Sequence, residues 1–179
     1  EGEDEHKARI VFTNGDTDFF EGDRYRERLV RREESDGTVV NFEGTQCMER
    51  MVSKTLYPDG TRLFYEGIPN MEHLVRTEER NGTKDYFQGH KGHERKTKTE
   101  FPNGDIHSFD GLKGSEHLVR VDFPSGTKHF YEGSKGEEHK VRATFPCGEY
   151  RYYVGEQGVE RHTRTVFPTG LVHYFEGDK

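Results

Sequence analysis

The sequence predicts an all-β fold: an elongated, twisted, single-layer antiparallel meander of tandem β-hairpins, with about sixteen strands in all. Three observations predict it: a tandem repeat of 22 residues, a turn glycine within every repeat, and a low content of core-forming residues. Hydrophobic residues make up 29% of the 179-residue chain, whereas globular domains average roughly 45–50%. Because 12% of the residues are nevertheless aromatic, the composition differs from that of disordered segments and favours an ordered sheet without a thick core.

Two series of glycines define the repeat. The turn glycines are Gly15, Gly37, Gly60, Gly82, Gly104, Gly126, Gly148 and Gly170. They are 22 residues apart, except for one step of 23, and a second series from Gly22 to Gly177 follows an aromatic–acid pair with the same steps. We interpret residues 1–179 as one array of eight repeats, which can be a fragment of a longer array. The extra residue lies between Gly37 and Gly60 and is expected near Arg50.

Each repeat has the pattern of a β-hairpin. Residues 117–123 and 127–133 are rich in β-prone side chains and flank the sequence Pro124-Ser125-Gly126. Proline presets the backbone for the turn, and glycine accepts the left-handed conformation that closes a bulged hairpin. No segment sustains the 3.6-residue period of an amphipathic helix. Every repeat therefore predicts two antiparallel strands.

One predicted face of the sheet carries an aromatic column. Five residues after each turn glycine lie Phe20, Phe42, Tyr65, Phe87, Phe109, Tyr131, Tyr153 and Phe175. Side chains alternate along a strand, so residues three and seven before the turn glycine, such as Phe123 and Val119, are expected on the same face. Tyr57 is assigned to this column in the third repeat. Arg32, Glu34 and Asn41 break the repeat pattern, and residues 30–52, in the second and third repeats, are therefore predicted to be the least stable outside the termini.

The opposite face is predicted to be charged. Six residues before each turn glycine lie Arg9, Arg31, Lys54, Arg76, Lys98, Arg120, Arg142 and Arg164. Four residues after it most repeats have an aromatic ring, and six residues after it most have an acid. Such rows can form cross-strand ion pairs and cation–π contacts. The candidate interaction surface is Arg76, Lys98, Arg120, Arg142, Arg164, Tyr86, Phe130, Tyr152 and Tyr174.

The motif Phe130-Tyr131-Glu132-Gly133, with the connector glycine Gly136 and the next Phe145-Pro146-x-Gly148, resembles the MORN (membrane occupation and recognition nexus) repeat. The resemblance covers the whole chain in a divergent 22-residue variant that lacks the usual tryptophan. It implies a single-layer sheet that acts as a scaffold, as a protein-interaction platform or as a phospholipid binder. The Phe/Tyr-Pro-x-Gly turns also resemble those of the centrosomal G-box domain, which implies a surface for proline-rich peptides.

No residue set in the sequence predicts catalysis, a metal site or a cofactor. His107, His129 and His173 occupy equivalent positions two strands apart, about 9.6 Å, which is too far to share one ion. A catalytic carboxylate pair needs a pocket that separates two pKa values, and a flat sheet is expected to offer none. We therefore expect a non-enzymatic protein. Cys47 and Cys147 are more than four repeats apart and are not expected to form a disulfide.

The leading functional interpretation is a structural scaffold that binds a protein partner through its periodic rows. The alternatives are anionic phospholipid binding through the basic row, or capture of proline-rich peptides between aromatic rings. Self-association through sheet edges or stacked faces is also expected. A net charge of −7 disfavours nucleic acid as a partner. The absence of a leader or an apolar span, together with two unpaired thiols, predicts a cytoplasmic location.

A single-layer array should scatter X-rays as a rod. Small-angle scattering of the monomer should give a radius of gyration well above the roughly 16 Å expected of a compact domain of this length. A radius near 16 Å would contradict the single-layer prediction.

Overall fold

The computed structural model of the protein describes residues 7–56 and 58–177. Its sixteen strands are β1 Arg9–Val11, β2 Thr17–Glu21, β3 Arg28–Glu33, β4 Val39–Glu43, β5 Arg50–Thr55, β6 Arg62–Glu66, β7 His73–Glu78, β8 Lys84–Gln88, β9 Arg95–Glu100, β10 Ile106–Asp110, β11 His117–Asp122, β12 Lys128–Glu132, β13 His139–Thr144, β14 Tyr150–Val154, β15 Arg161–Val166 and β16 Val172–Tyr174.

The strands form one antiparallel sheet in which the spatial order follows the chain, which confirms the predicted all-β, single-layer meander. The chain divides into two compact units, Glu1–Glu94 with β1–β8 and Arg95–Lys179 with β9–β16. In the part of the chain that the structure describes there is no helix long and apolar enough to cross a membrane.

The hairpin turns depend on their glycines. In the turn after β11, the N–H of Gly126 donates to the carbonyl of Phe123 at 2.9 Å, and the N–H of Phe123 donates to Thr127 at 2.9 Å. Gly126 has φ +82°, a conformation that is costly for residues with a Cβ atom. This is a type I turn closed by a left-handed residue, the bulged hairpin that the sequence predicts.

The second glycine series is required by a close backbone approach. Gly133 has φ +115°, and a Cβ atom there would lie 2.5 Å from the carbonyl oxygen of Glu137. Three residues later the connector needs a second left-handed residue, which is Gly136 in this repeat. In the first three connectors that position is held by Tyr25, Cys47 and Asn70, all with φ near +65°. The connectors therefore share one conformation.

A glutamate in each connector joins neighbouring hairpins. The Glu160 carboxylate accepts hydrogen bonds from the backbone N–H groups of Lys140 at 3.0 Å and Gly158 at 3.1 Å. These bonds, together with one from its own N–H, lower the pKa of Glu160. The same strand contact is made by Glu27, Glu49, Glu72, Glu116 and Glu138. The repeated acid is therefore a structural acceptor for strand backbone.

The extra residue lies in the turn of the third repeat, so the position expected near Arg50 is wrong. Gly60 donates its N–H to Leu56, four residues back, whereas other turns close over three. Ser53 is paired with Phe64, as Arg142 is paired with Tyr152, so Ser53 and not Lys54 occupies the basic position. Leu56 takes the place assigned to Tyr57, which lies outside the described residues.

A β-bulge recurs where one hairpin joins the next. Phe130 is paired with Arg142 and Tyr131 with Lys140, so Val141 has no partner. The same register shift occurs at the five other described junctions. Because a bulge changes the alternation of side chains, Val119 and Val141 line a groove with Arg142. The expectation that residues seven before the turn glycine share the aromatic face is therefore wrong.

The aromatic face, which carries the column from Phe20 to Phe175, holds a thin core. Val121 and Ala143 are buried there, and each is paired with His129 on β12. The His129 ring packs edge-on against Phe123 with centroids 4.8 Å apart. His107 and His173 make the same contact with the phenylalanine of their own hairpin. A small residue beneath each histidine leaves room for this stacking.

The pattern-breaking residues of the N-terminal unit are compensated in pairs. Arg32 donates two hydrogen bonds to the buried Asp18, at 2.6 and 2.7 Å, and these bonds raise the pKa of Arg32. Lys54 contacts Glu34 at 3.2 Å. The Asn41 amide donates to the Ser53 hydroxyl at 2.9 Å. Each polar substitution thus has its partner on a nearby strand, and the low stability predicted for this region stays a prediction.

The stacked histidines should make stability depend on pH. Burial lowers the pKa of His129, and the ammonium of Lys140 lowers it further. Burial also lowers the pKa of His107, against the opposing effect of the Asp105 carboxylate. The unfolded chain takes up these protons near pH 6.5 while the folded chain resists, so stability is complete above that value and falls as pH drops through it. The thermal midpoint should therefore decrease between pH 7.5 and 5.5.

The double substitution His107→Gln/His129→Gln should flatten that decrease, as measured by circular dichroism at each pH. His93→Gln, at an exposed connector histidine, is the matched control and should keep the pH dependence of the unsubstituted chain. An unchanged slope in the double variant would show that these rings do not carry the effect.

Candidate interaction surface

The strand register places basic and aromatic side chains alternately along one face, which we call the arginine face. In the N-terminal unit, Arg76 is paired with Phe64 on one side and Tyr86 on the other. In the C-terminal unit the paired series is Ser108, Arg120, Phe130, Arg142, Tyr152, Arg164 and Tyr174. This alternation follows from the constant hairpin register, because the basic residue and the ring face each other across both strand pairs.

Three arginines stack on the ring of the preceding hairpin. The Cζ atoms lie 4.0 Å from the Phe64 centroid for Arg76, 4.0 Å from the Phe130 centroid for Arg142, and 3.9 Å from the Tyr152 centroid for Arg164. These are cation–π contacts at close range. The stacking holds each half-buried guanidinium in a fixed position on the surface.

In three repeats the residue two positions after the base neutralises its charge. Side chains two apart on one strand lie on the same face. Arg31 is ion-paired with Glu33, Lys98 with Glu100 at 2.7 Å, and Arg120 with Asp122 at 3.0 Å. The corresponding residues after Arg142 and Arg164 are Thr144 and Val166, which offer no carboxylate. Among the described residues, Arg142 and Arg164 have no ion-pair partner.

Arg76 also has no ion-pair partner among the described residues, but for a different reason. Its own strand has Glu78 two positions later, but that carboxylate lies 3.9 Å from the Arg62 guanidinium. Within the described part of the chain, the buried Nε atoms of Arg76 and Arg142 have no hydrogen-bond partner, and neither does that of the ion-paired Arg120. A guanidinium has five N–H donors, so Arg76 and Arg142 retain unused hydrogen-bonding capacity.

The arginine face carries two grooves of matching composition, one in each unit. Their volumes are about 380 and 390 Å³. The first is lined by Val52, Phe64, Val75, Arg76 and Tyr86, and the second by Val119, Phe130, Val141, Arg142 and Tyr152. The bulged valines form the apolar part between two rings. The bulge gives the face relief at these two positions, but each groove is lined by a single carboxylate and not by a carboxylate pair.

Members of the acidic row differ in what they contact. Glu21 is bonded to Arg28 at 3.3 Å, and Asp110 to Arg95 at 3.3 Å, so these acids pair with residues at the start of the next or preceding strand. Burial raises the pKa of Tyr131, and the Glu160 carboxylate adds to that rise. Glu66 and Glu132 line the two grooves. Each groove therefore contains one cation and one anion.

The predicted surface residues all lie on the arginine face, but they differ in state. Lys98 and Arg120 are neutralised, Tyr174 is 74% exposed in the short strand β16, and the remaining residues build or border the grooves. The bulged valines Val75 and Val141 were missed, because strict alternation assigns them to the other face. The residue two positions after the base distinguishes Arg142 and Arg164 from Arg31, Lys98 and Arg120, but it does not identify Arg76, which is followed by Glu78.

A larger depression in the described part of the chain differs in composition from the two grooves. This depression of about 730 Å³ is lined by connector residues such as Glu137 and Glu156 and by His139 at the start of β13, and no Phe or Tyr lines it. In residues 7–56 and 58–177, no three His, Cys, Asp or Glu side chains are grouped closely enough to hold a metal ion. The grooves are thus the better candidates for ligand contact.

Comparison with solved structures finds chains of similar fold, one of which is described here. No family model matches the sequence, so the MORN resemblance stays a prediction, and no curated protein matches it. A solved structure of the SAS-4 (dCPAP) TCP domain in complex with a proline-rich motif of Ana2 (dSTIL) of Drosophila melanogaster aligns with a TM-score of 0.42 at 15% identity. The alignment covers 94% of this chain and 88% of that chain.

Proposed function

We propose that this chain is a non-enzymatic protein-interaction module whose arginine face binds an extended, proline-rich peptide containing acidic residues. The observation that carries the proposal is the pair of aromatic grooves, each holding a stacked arginine whose charge has no partner among the described residues. Two exposed free thiols, Cys47 and Cys147, are compatible with the reducing cytoplasm where we place it.

The spacing of the rings fits a polyproline II helix. Phe130 and Tyr152 occupy equivalent positions two strands apart, which corresponds to about 9.6 Å. Three residues of polyproline II span about 9.3 Å. A peptide that crosses the strands can therefore place prolines three residues apart on the two rings. Aromatic grooves bind such helices at low entropic cost, because the peptide is already extended in solution.

The charge of the groove specifies the residues between those prolines. Arg142 lies between Phe130 and Tyr152 in the ladder, so an acidic residue within the Pro-x-x-Pro segment would meet its free N–H donors. Glu132 at the same groove favours a basic residue beside the motif. The complementary ligand is thus proline-rich, acidic within the motif and basic at its flanks.

The same charges disfavour an anionic membrane as the partner. Lipid binding requires a continuous row of cations, but the row is interrupted at Ser53, and Arg31, Lys98 and Arg120 are already paired with acids. A carboxylate also lines each groove. A phosphate surface would therefore meet repulsion where a peptide of mixed charge would not.

Fluorescence anisotropy with a labelled peptide containing Arg-Pro-Glu-Glu-Pro-Arg should detect saturable binding to the full chain. The double variant Arg76→Gln/Arg142→Gln should bind at least tenfold more weakly, since hydrogen bonds to charged groups contribute about 1.5–3 kcal/mol each. Arg31→Gln is the matched control, because that arginine lies on the same face but is already paired with Glu33.

A peptide in which glycine replaces both prolines should bind weakly to every protein variant. Sedimentation with phosphatidylcholine–phosphatidylserine vesicles addresses the lipid alternative. Vesicle binding without peptide binding, or equal peptide affinity in the double variant, would contradict the proposal.

A further inference from the structure

We infer that the chain has two independent and equivalent peptide sites, one per unit, so that it binds two copies of the motif and fits a partner that presents the motif twice. The inference rests on the proposed function. Its starting point is that the two grooves are copies of one another at the level of single residues.

The correspondence covers each group that the site needs. The ring, bulged valine and arginine of the first groove are Phe64, Val75 and Arg76, and each has an identical residue type 66 residues later, at three repeat lengths. The stacking distance is the same 4.0 Å in both, and the volumes differ by little. Both grooves end on a tyrosine ring, Tyr86 or Tyr152.

The repeats between and beside the grooves lack one or more of these groups. In the fifth repeat, Thr97 replaces the valine and Ser108 replaces the ring. In the eighth, Arg164 is stacked and unpaired, but Thr163 stands in place of the valine and donates its hydroxyl to the Tyr152 carbonyl at 3.3 Å. The full set of valine, ring, valine, arginine and ring therefore recurs twice and does not extend along the whole face.

The arginines of the two grooves also share an unpaired charge, although the reason differs between the two units. Arg142 is followed by Thr144, which has no charge, whereas the acid after Arg76 is engaged by Arg62. Both arginines present a guanidinium without an ion-pair partner among the described residues. The same peptide chemistry is thus complementary to both grooves, and a mixed-charge, proline-rich segment is the occupant to which we commit.

Isothermal titration of the full chain with the Arg-Pro-Glu-Glu-Pro-Arg peptide, at protein concentrations above the dissociation constant, tests the inference. The unsubstituted chain should bind two peptides. Arg76→Gln and Arg142→Gln should each bind one, and the double variant should bind none under the same conditions. Circular dichroism of each variant should match the unsubstituted chain, which separates loss of a site from loss of the fold.

The outcomes separate this inference from the proposed function. One peptide per chain, lost in only one of the two single variants, would overturn the second site and leave the function intact. Two peptides per chain in both single variants would show that the grooves are not the sites. An absence of peptide binding in the unsubstituted chain would overturn the function, and the inference with it.

Discussion

The stacking of an arginine on the aromatic ring of the preceding strand organises this surface. Few side chains are buried in a single-layer sheet. The positions of the side chains on each face therefore depend on contacts between neighbouring strands. The 4.0 Å contact of Arg142 with Phe130 fixes a cation beside an apolar groove. In one repeat without the stack both members are replaced, by the hydrogen-bonded Asn41 and Ser53, whereas Arg120 is kept opposite Ser108. The surface is thus built from strand-to-strand units and not from isolated residues.

Much of the fold could be predicted, because the repeat encodes it directly. Turn glycines such as Gly126 have the left-handed conformation that the turn chemistry requires, and strand count and order follow from them. The alternation of bases and rings on one face was also accessible, since both positions keep a constant distance from the turn glycine. These features depend on local geometry within one hairpin.

The features that escaped prediction depend on how neighbouring hairpins join and on which segment of a repeat takes up an extra residue. The bulge at Val141 arises where two hairpins join, and nothing in the period of a single strand indicates it. The spacing of the glycines does not show where the extra residue near Gly60 lies. An insertion in the turn and an insertion in the connector would both lengthen the repeat by one residue. The hydrogen bond between Arg32 and Asp18 is a further example. Each residue considered alone would be counted as a departure from the repeat pattern, and only the structure shows that the two are paired.

A double-mutant cycle at Phe130 and Arg142 tests the account most directly. Urea unfolding of Phe130→Leu, Arg142→Met and the combined variant should give a favourable coupling free energy of about 0.5–1 kcal/mol. The matched cycle at Phe19 and Arg31, which lie 5.4 Å apart with Arg31 bound to Glu33, should give a smaller value. No coupling at Phe130 and Arg142, or equal coupling in the two cycles, would contradict a surface built on stacked arginines.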